Sequence, residues 1–113
     1  DTYNNPNNSA YTGYGYIGQG RLKNASGVAL TTTSSANDRR DAIDSREKLL
    51  CDNARTKGIQ IYAIGVGVSS HAKGILQYCA TQPDMYYDVT DAAQLTSVFN
   101  TIAGSIQNLR ITK

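Results

Sequence analysis

The sequence contains no tryptophan, one histidine and two cysteines, and these shortages exclude several kinds of catalytic site. Because His71 is the sole histidine, no Ser-His-Asp arrangement and no Cys-His pair with a matching third member is visible. Cys51 and Cys79 lack the C-x-x-C spacing of thioredoxin-like redox proteins. The sequence therefore predicts no catalytic residues and a protein that is not an enzyme.

Cofactor and metal patterns are also missing. Gly65 and Gly67 end an apolar run, but Ser70 occupies the place of the third glycine in the dinucleotide-binding fingerprint. The aspartates and glutamates form no compact metal-binding loop such as an EF-hand. We therefore expect no cofactor and no specific metal site in this chain.

The charge pattern argues against a nucleic-acid-binding protein, and the hydropathy argues against a membrane span in this chain. The net charge is +2, and the 11 lysines and arginines are scattered, with Arg39-Arg40 as the sole adjacent pair, so we expect no nucleic-acid partner. No apolar run approaches the roughly 18 residues that a membrane span requires. The chain begins without a methionine or a signal peptide, which indicates a piece excised from a longer protein.

Residues 1–37 are rich in Asn, Gly, Ser, Thr and Tyr, and glycine alternates with tyrosine between positions 11 and 20. Because a glycine costs about 1 kcal/mol in a helix, this region is predicted to be a long irregular loop with at most a short extended pairing. Its candidate contact residues are Tyr11, Tyr14, Tyr16 and Arg21. They form either a stacking surface for a sugar or a protein, or a loop whose tyrosines pack over its own domain.

Residues 38–113 have the patterns of alternating helices and strands. The predicted elements are a helix over 38–57, a strand over 59–68, a helix from Ser69 or Ser70 towards Pro83, a strand over 85–89 and a helix after Asp91. We expect Asn37 or Asp38 to cap the first helix and Gly58 to end it. Asp91 and Gln94 have the spacing of a capping box.

All three helices carry apolar stripes that predict buried faces. In the second helix the stripe consists of Ala72, Ile75, Leu76 and Cys79. In the first helix the stripe consists of Ile43, Leu50, Cys51 and Ala54. In the last helix it consists of Leu95, Val98, Phe99, Ile102, Ala103, Ile106 and Leu109.

The alternation of helices and strands predicts an α/β fold with a parallel sheet. The 59–68 strand is apolar enough to be buried on both faces of such a sheet and to need a neighbour along each edge. This sequence contains one such neighbour, the predicted strand over 85–89. We therefore expect the missing strand upstream of Asp1 or in another chain, and self-association through the 59–68 edge.

Several groups of residues resemble known proteins. Residues 48–66 resemble the penultimate helix and strand of von Willebrand factor A-like domains. Further features are similar to TadG-type proteins of tight-adherence (Flp) pilus systems: Leu50-Cys51 with Lys57-Gly58-Ile59 and Ile61-Tyr62; Leu76 with Cys79-Ala80, Pro83-Asp84 and Tyr86-Tyr87; Leu95, Phe99, Ile102-Ala103 and the end 109–113; and the loop 14–22.

This resemblance implies a partial Rossmann-like sheet of the von Willebrand factor A type, flanked by helices. It implies a bacterial protein of the periplasm, cell envelope or exterior, with an N-terminal membrane anchor outside this chain. The spacing of Cys51 and Cys79 alone leaves two buried thiols and a disulfide equally open. The resemblance favours the disulfide, because the group carries cysteines at these two helix positions.

The same resemblance bears on metal binding. A von Willebrand factor A domain can bind Mg²⁺ through a D-x-S-x-S motif, and no such motif occurs in this sequence. Asp1 is at most the remnant of an incomplete site, since a hard cation needs several oxygen ligands. The resemblance leaves Mg²⁺ binding by the longer parent domain open.

The function favoured by the sequence is a non-catalytic protein-interaction module in the assembly or anchoring of a surface pilus, contacting proteins of the pilus assembly machinery. The surface expected to do this is the rim at the carboxyl ends of the strands. The alternative is a cell-surface adhesin that binds glycan or host protein through the Gly/Tyr loop. A hydrolase is the third and least favoured class.

Overall fold

The computed structural model describes residues 2–4 and 9–111. The chain divides into two compact units, Asp1–Leu49 and Leu50–Lys113. Asp1, discussed above as a metal-site remnant, and the last two residues of the TadG-like pattern lie outside the described residues. Each unit has its own arrangement of strands and apolar side chains.

The first unit contains a small antiparallel sheet. Its strands β1 (Thr2–Asn4), β2 (Ser9–Thr12) and β3 (Gly15–Tyr16) pair in that order. This three-stranded sheet is more extensive than the predicted irregular loop with at most a short extended pairing. Ala10 and Thr12 are buried while Tyr11 is exposed, so β2 has the alternation of a half-buried strand within a glycine-rich composition.

A small apolar core supports this sheet. Its buried side chains are Ala10, Ile17, Leu22, Leu30 and Ala42, with Ile43 packed against them. Buried polar groups here are satisfied: Ser9 Oγ accepts the Gly18 amide at 2.9 Å. Few apolar residues are available in 1–37, but the fold brings several of them together.

Helix α1 (Ala36–Thr56) begins two residues before the predicted start at position 38. Ser35 Oγ accepts the Asp38 amide at 3.1 Å, and the Ser35 amide donates to Asp38 Oδ2 at 2.7 Å. This is reciprocal capping, so Ser35 caps the helix and Asp38 lies in its first turn. The predicted stop is confirmed: Gly58 has φ +74° and donates its amide to Arg55, as in a Schellman motif.

The predicted apolar face of α1 is only partly buried. Cys51 is buried and Ala54 is half-buried, whereas the exposed fraction of Leu50 is 69%. The expectation that Leu50 shares the buried face is therefore wrong. Helical spacing places Leu50 about 100° from Cys51, which is enough to put it on a different side of the helix.

The second unit contains a two-stranded parallel sheet, so the chain as a whole is α/β. β4 (Ala63–Val66) pairs with β5 (Tyr86–Val89), with Ala63 opposite Tyr86 and Val66 opposite Val89. β4 is shorter than the predicted 59–68 strand. The Ile61 backbone instead exchanges hydrogen bonds with Thr81, through the Thr81 hydroxyl at 2.7 Å and the Thr81 amide at 3.0 Å.

Helix α2 (Ser70–Cys79) covers one face of this sheet. Ser69 caps it by accepting the Ala72 amide at 3.4 Å, in agreement with one of the two predicted caps. Leu76 packs on the cluster of Ala63, Ala80 and Met85. At the rim, Lys73 Nζ lies 2.6 Å from Asp88 Oδ2 and joins α2 to β5.

Helix α3 (Leu95–Ile111) follows the predicted capping box, in which both the Asp91 and Gln94 side chains form their bonds. Its predicted stripe is covered only in part: Val98 is buried, while Phe99 and Ile106 are 56% and 46% exposed. The prediction of one fully buried stripe is thus corrected. Among the described residues, no helix has the length and apolar character needed to cross a membrane.

Candidate functional site

A disulfide joins the C-terminal part of α1 to the end of α2. Cys51 and Cys79 are bonded, as the resemblance implies, and their exposed fractions are 7% and 5%. Burial shields the bond from exchange with an external thiolate, which must reach a sulfur atom to attack it. The disulfide is therefore a structural link within the second unit.

A polar cluster of Asp52, Arg55 and Tyr78 surrounds this link. The Arg55 guanidinium donates to Asp52 and to the carbonyl of Tyr78, and its Cζ lies 5.1 Å from the centre of the Tyr78 ring. The Tyr78 hydroxyl lies 3.0 Å from both oxygens of Asp52. A cation placed against the last carbonyls of α2 complements the negative end of that helix.

These donors change the acidity of Asp52. The hydrogen bond from Arg55, followed by that from Tyr78, lowers the pKa of Asp52 below its ordinary value. The carboxylate is thus held in its charged form as a structural partner, since a lowered pKa makes it a poorer proton donor and acceptor near neutral pH.

The edge of β4 away from β5 carries backbone groups that point away from the sheet. The Gly67 amide donates to the Val89 carbonyl at 2.9 Å. Because the direction of these groups alternates along a strand, Ile64 and Val66 direct their N–H and C=O groups away from β5. Within the described residues, no further strand pairs with β4.

The outer edge of β5 is closed at its two ends, while the Asp88 backbone between them also faces away from β4. By the same alternation, Tyr86 and Thr90 direct their amides away from β4. The Tyr86 amide donates to the Pro83 carbonyl, and the Thr90 amide donates to Gln94 Oε1 at 3.0 Å. The edge of β4 faces outwards at Ile64 and Val66, and the Val66 side chain is 40% exposed. This contradicts the prediction of a strand buried on both faces.

The hairpin of β2 and β3 in the first unit presents three tyrosines. Tyr11 and Tyr16 are cross-strand partners whose ring centres lie 5.1 Å apart in an edge-to-face arrangement. Tyr14 lies in the turn, where its amide donates to Thr12 Oγ1 at 3.1 Å. Tyr11 is 55% exposed and Tyr14 is 37% exposed, whereas Tyr16 is half-buried.

Two polar side chains accompany these rings. A Cβ atom added to Gly15 would lie 2.8 Å from Gln19 Oε1 and 3.5 Å from Arg21 Nη1, so both side chains lie against the Gly15 backbone. Gly15 itself has φ +89°, a conformation that favours glycine. We call Tyr11, Tyr14, Tyr16, Gln19 and Arg21 together the tyrosine group.

The structure pairs Tyr11 with Tyr16, places Tyr14 in the turn and lays Arg21 against Gly15, and their shared contact role stays a prediction. Two residues that touch this hairpin were not predicted. Gln19 was missed, although its position two residues before Arg21 could have suggested it. Arg46 was also missed: its Cζ lies 4.7 Å from the centre of the Tyr14 ring, a cation–π contact. No local pattern links position 46 to position 14, so the sequence offered no signal for this contact.

Other candidate positions show no convergent chemistry. A depression of about 450 Å³ in the first unit is lined by Leu30, Asp38 and Asp41 among others, but the Asp38 carboxylate is already bonded to Ser35. The described residues contain no group of three or more His, Cys, Asp or Glu side chains placed to hold a metal ion. His71 lies exposed in the first turn of α2.

No protein-family model matches the sequence, and comparisons with curated proteins and with solved structures find no significant similarity. The resemblance to TadG-type proteins therefore rests on the residues named above.

Proposed function

We propose that the chain is a non-catalytic protein-interaction module of a bacterial pilus assembly or anchoring protein. The observation that carries this proposal is the open edge of β4. Backbone groups at Ile64 and Val66 are directed away from β5, and Val66 is substantially exposed. Such an edge is a template for an extended segment of a partner protein.

The proposed fold is the C-terminal part of a von Willebrand factor A-like domain. The order helix, strand, helix, strand, helix and the parallel pairing of β4 with β5 are compatible with part of such a sheet. In that fold, β4 would be an internal strand with a neighbour on each side. The partner segment would then supply pairing that β4 lacks among the described residues.

The buried disulfide supports a location in the periplasm, the cell envelope or the exterior, because structural disulfides persist in oxidising compartments. We propose that the parent protein is anchored in the membrane outside this chain and that its partners are proteins of the pilus assembly machinery. A second copy of the chain would occupy the same edge when the partner is absent.

Replacement of Val66 by lysine tests the proposal in the producing bacterium. The Val66→Lys variant places a charge on the exposed side of the edge strand and should reduce edge pairing, because natural edges use lysine for this purpose. We expect normal secreted amounts of the variant with a loss of surface pili, counted by electron microscopy. Gln77→Lys adds the same charge on the exposed side of α2 and should leave piliation unchanged.

Two results would contradict the proposal. If Val66→Lys cells carry as many pili as the wild type, the β4 edge has no part in assembly. If Gln77→Lys and Val66→Lys reduce piliation equally while both proteins are secreted normally, the effect belongs to charge and not to the edge.

A further inference from the structure

Two short segments match the N-x-S pattern of asparagine-linked glycosylation, Asn7-Asn8-Ser9 and Asn24-Ala25-Ser26. Patterns of three residues recur by chance, and a working acceptor must also lie in a surface loop of a secreted protein. The asparagine and the hydroxyl two residues later must both be accessible to the transferase. The structure distinguishes the two segments by this criterion.

The first segment does not present its hydroxyl. Ser9 is 1% exposed, and its Oγ accepts the Gly18 amide at 2.9 Å. Asn7 and Asn8 lie outside the described residues. Because a buried and bonded hydroxyl cannot contact an enzyme, we expect no modification of this segment in the folded chain.

The second segment lies at the tip of an exposed hairpin loop in the first unit. Lys23 and Ala29 pair as an antiparallel bridge, and all residues over 23–29 are exposed. The Gly27 amide donates to the Asn24 carbonyl at 2.9 Å and closes the turn. A Cβ atom added to Gly27 would have no neighbour within 4 Å, so the tip is surrounded by open space.

The Asn24 side chain is held with its nitrogen available. Its Oδ1 accepts the amides of Ser26 and Val28, both at 3.0 Å, and Nδ2 is the atom that remains for reaction. Hydrogen bonds to an amide oxygen stabilise the negative charge that develops there, so they make an Nδ2 proton easier to remove. Ser26 is exposed, and only its backbone takes part in these bonds.

We propose that Asn24 is an acceptor for asparagine-linked glycosylation and that the donor is a sugar carried on a polyprenyl diphosphate. Nδ2 forms a bond to C1 of the sugar while the bond from C1 to the diphosphate oxygen breaks. The polyprenyl diphosphate leaves with the electron pair of that bond, and the Nδ2 proton passes to a base of the transferase. The site rests on the envelope or exterior location proposed above, which the buried disulfide supports.

Mass spectrometry of tryptic peptides tests this assignment on the chain purified from the envelope of the producing bacterium. Trypsin cleaves after lysine and arginine, so Asn24 lies on the peptide 24–39 and Asn7 lies on the peptide that ends at Arg21. We expect an oligosaccharide on the peptide 24–39, attached at Asn24, and none on the peptide that ends at Arg21.

Variants of the loop separate the acceptor pattern from the fold. Ser26→Ala should abolish the modification and Ser26→Thr should retain it, because the second variant keeps a hydroxyl and neither changes the backbone bonds to Asn24. Ala25→Pro suits the second position of the turn but breaks the acceptor pattern, so it should also abolish the modification. All three should melt close to the wild type. Val66→Lys should carry the sugar normally, which separates this test from the piliation test.

Four results would overturn the assignment. An unmodified Asn24 in chain recovered from the envelope would exclude it as an acceptor and leave the proposed location intact. Recovery of the chain from the cytoplasm would reject that location and the lipid-linked donor with it. A sugar that persists in Ser26→Ala would mean that the attachment does not use this pattern. A sugar on the peptide that ends at Arg21 would mean that the burial of Ser9 does not select between the two segments.

Discussion

The space beside Gly65 is occupied by side chains from the loop after β4, from β5 and from α2, which leaves no room for a side chain at this position. A Cβ atom there would lie 2.9 Å from Val68 Cγ2, 3.2 Å from Tyr86 Oη and 3.3 Å from Leu76 Cδ1. Val68 is stiff about χ1 and cannot move aside freely. We expect Gly65→Ala to lower the free energy of unfolding by about 1–3 kcal/mol, measured by chemical denaturation.

Gly74 provides the matched control for this prediction. It lies within α2, and a Cβ atom there would have no neighbour within 4 Å. Gly74→Ala should therefore stabilise the protein by about 0.5–1 kcal/mol through the preference of alanine for helix. Equal effects of the two variants would show that the close approach at Gly65 is not what requires glycine.

Asp52 gives the second unit a dependence on acid pH. Its pKa is lowered in the folded state, first by the bond from Arg55 and then by the bond from Tyr78. A lowered folded pKa means that the stabilisation is present above the ordinary value of 3.8 and is lost as the pH falls through the folded value. Stability should therefore decline on acidification below about pH 4.

Asp52→Asn isolates this contribution. The variant keeps the shape of the side chain and loses its charge, so it should be less stable than the wild type near neutral pH. The difference in the free energy of unfolding between the variant and the wild type should shrink as the pH falls below the pKa of an ordinary aspartate. At that pH the wild-type carboxyl becomes neutral too. A constant difference across the titration would show that Asp52 acts through packing alone.

At the scale of the elements, the ends of helices could be predicted better than their faces. Gly58, Asp91 and Gln94 act through local geometry, and the structure confirms all three. Ser35 caps α1 in place of Asn37 or Asp38 because Asp38 bonds back to the Ser35 amide. A serine three residues before an aspartate was present in the sequence, so this signal was available and was overlooked.

The faces of helices depend on what covers them, which periodicity does not reveal. The apolar residues of α3 span more than one side of the helix. Val98 is buried at 8% exposure, while Phe99, the next residue, is 56% exposed. A stripe read from spacing alone treats the two as equivalent. The fold separates them because only one side of α3 has neighbours within the described residues.

This separation predicts different responses to alanine along α3. Val98→Ala removes buried methyl groups and should lower the free energy of unfolding by about 1–2 kcal/mol. Phe99→Ala removes a larger side chain that is mostly exposed and should change it by no more than about 0.5 kcal/mol. Thermal unfolding of both variants would measure this. A larger loss for Phe99→Ala would mean that its ring is covered in solution.

At the scale of the whole molecule, the sequence predicted the parallel α/β arrangement of the second unit but not the sheet of the first. In the second unit, Ala63–Val66 and Tyr86–Val89 stand out as apolar or β-branched and aromatic segments between helices. In the first unit, Ser9 and Thr12 are buried although they are polar. Their hydroxyls bond backbone groups, so burial there does not follow hydropathy.

The tyrosine group likewise combines a predictable part and an unpredictable part. Tyr11, Tyr14, Tyr16 and Arg21 lie within a short segment, so their proximity follows from the chain. The contact of Arg46 with Tyr14 depends on how α1 lies against the hairpin within the first unit. Contacts of this kind arise from tertiary packing, for which a single sequence carries no direct signal.

The open edge of β4 has a consequence for the purified chain. Ile64 and Val66 direct donors and acceptors away from β5, and a second copy offers the same groups in return. We therefore expect the chain to associate with rising concentration, as measured by light scattering.

Val66→Pro removes an outward-facing amide without removing a bond to β5, because the Val66 amide is not used in the sheet. It should weaken association and leave cooperative melting in place, whereas Gln77→Lys should associate like the wild type. A wild-type chain that stays monomeric at high concentration, with cooperative melting, would exclude this edge as an association site.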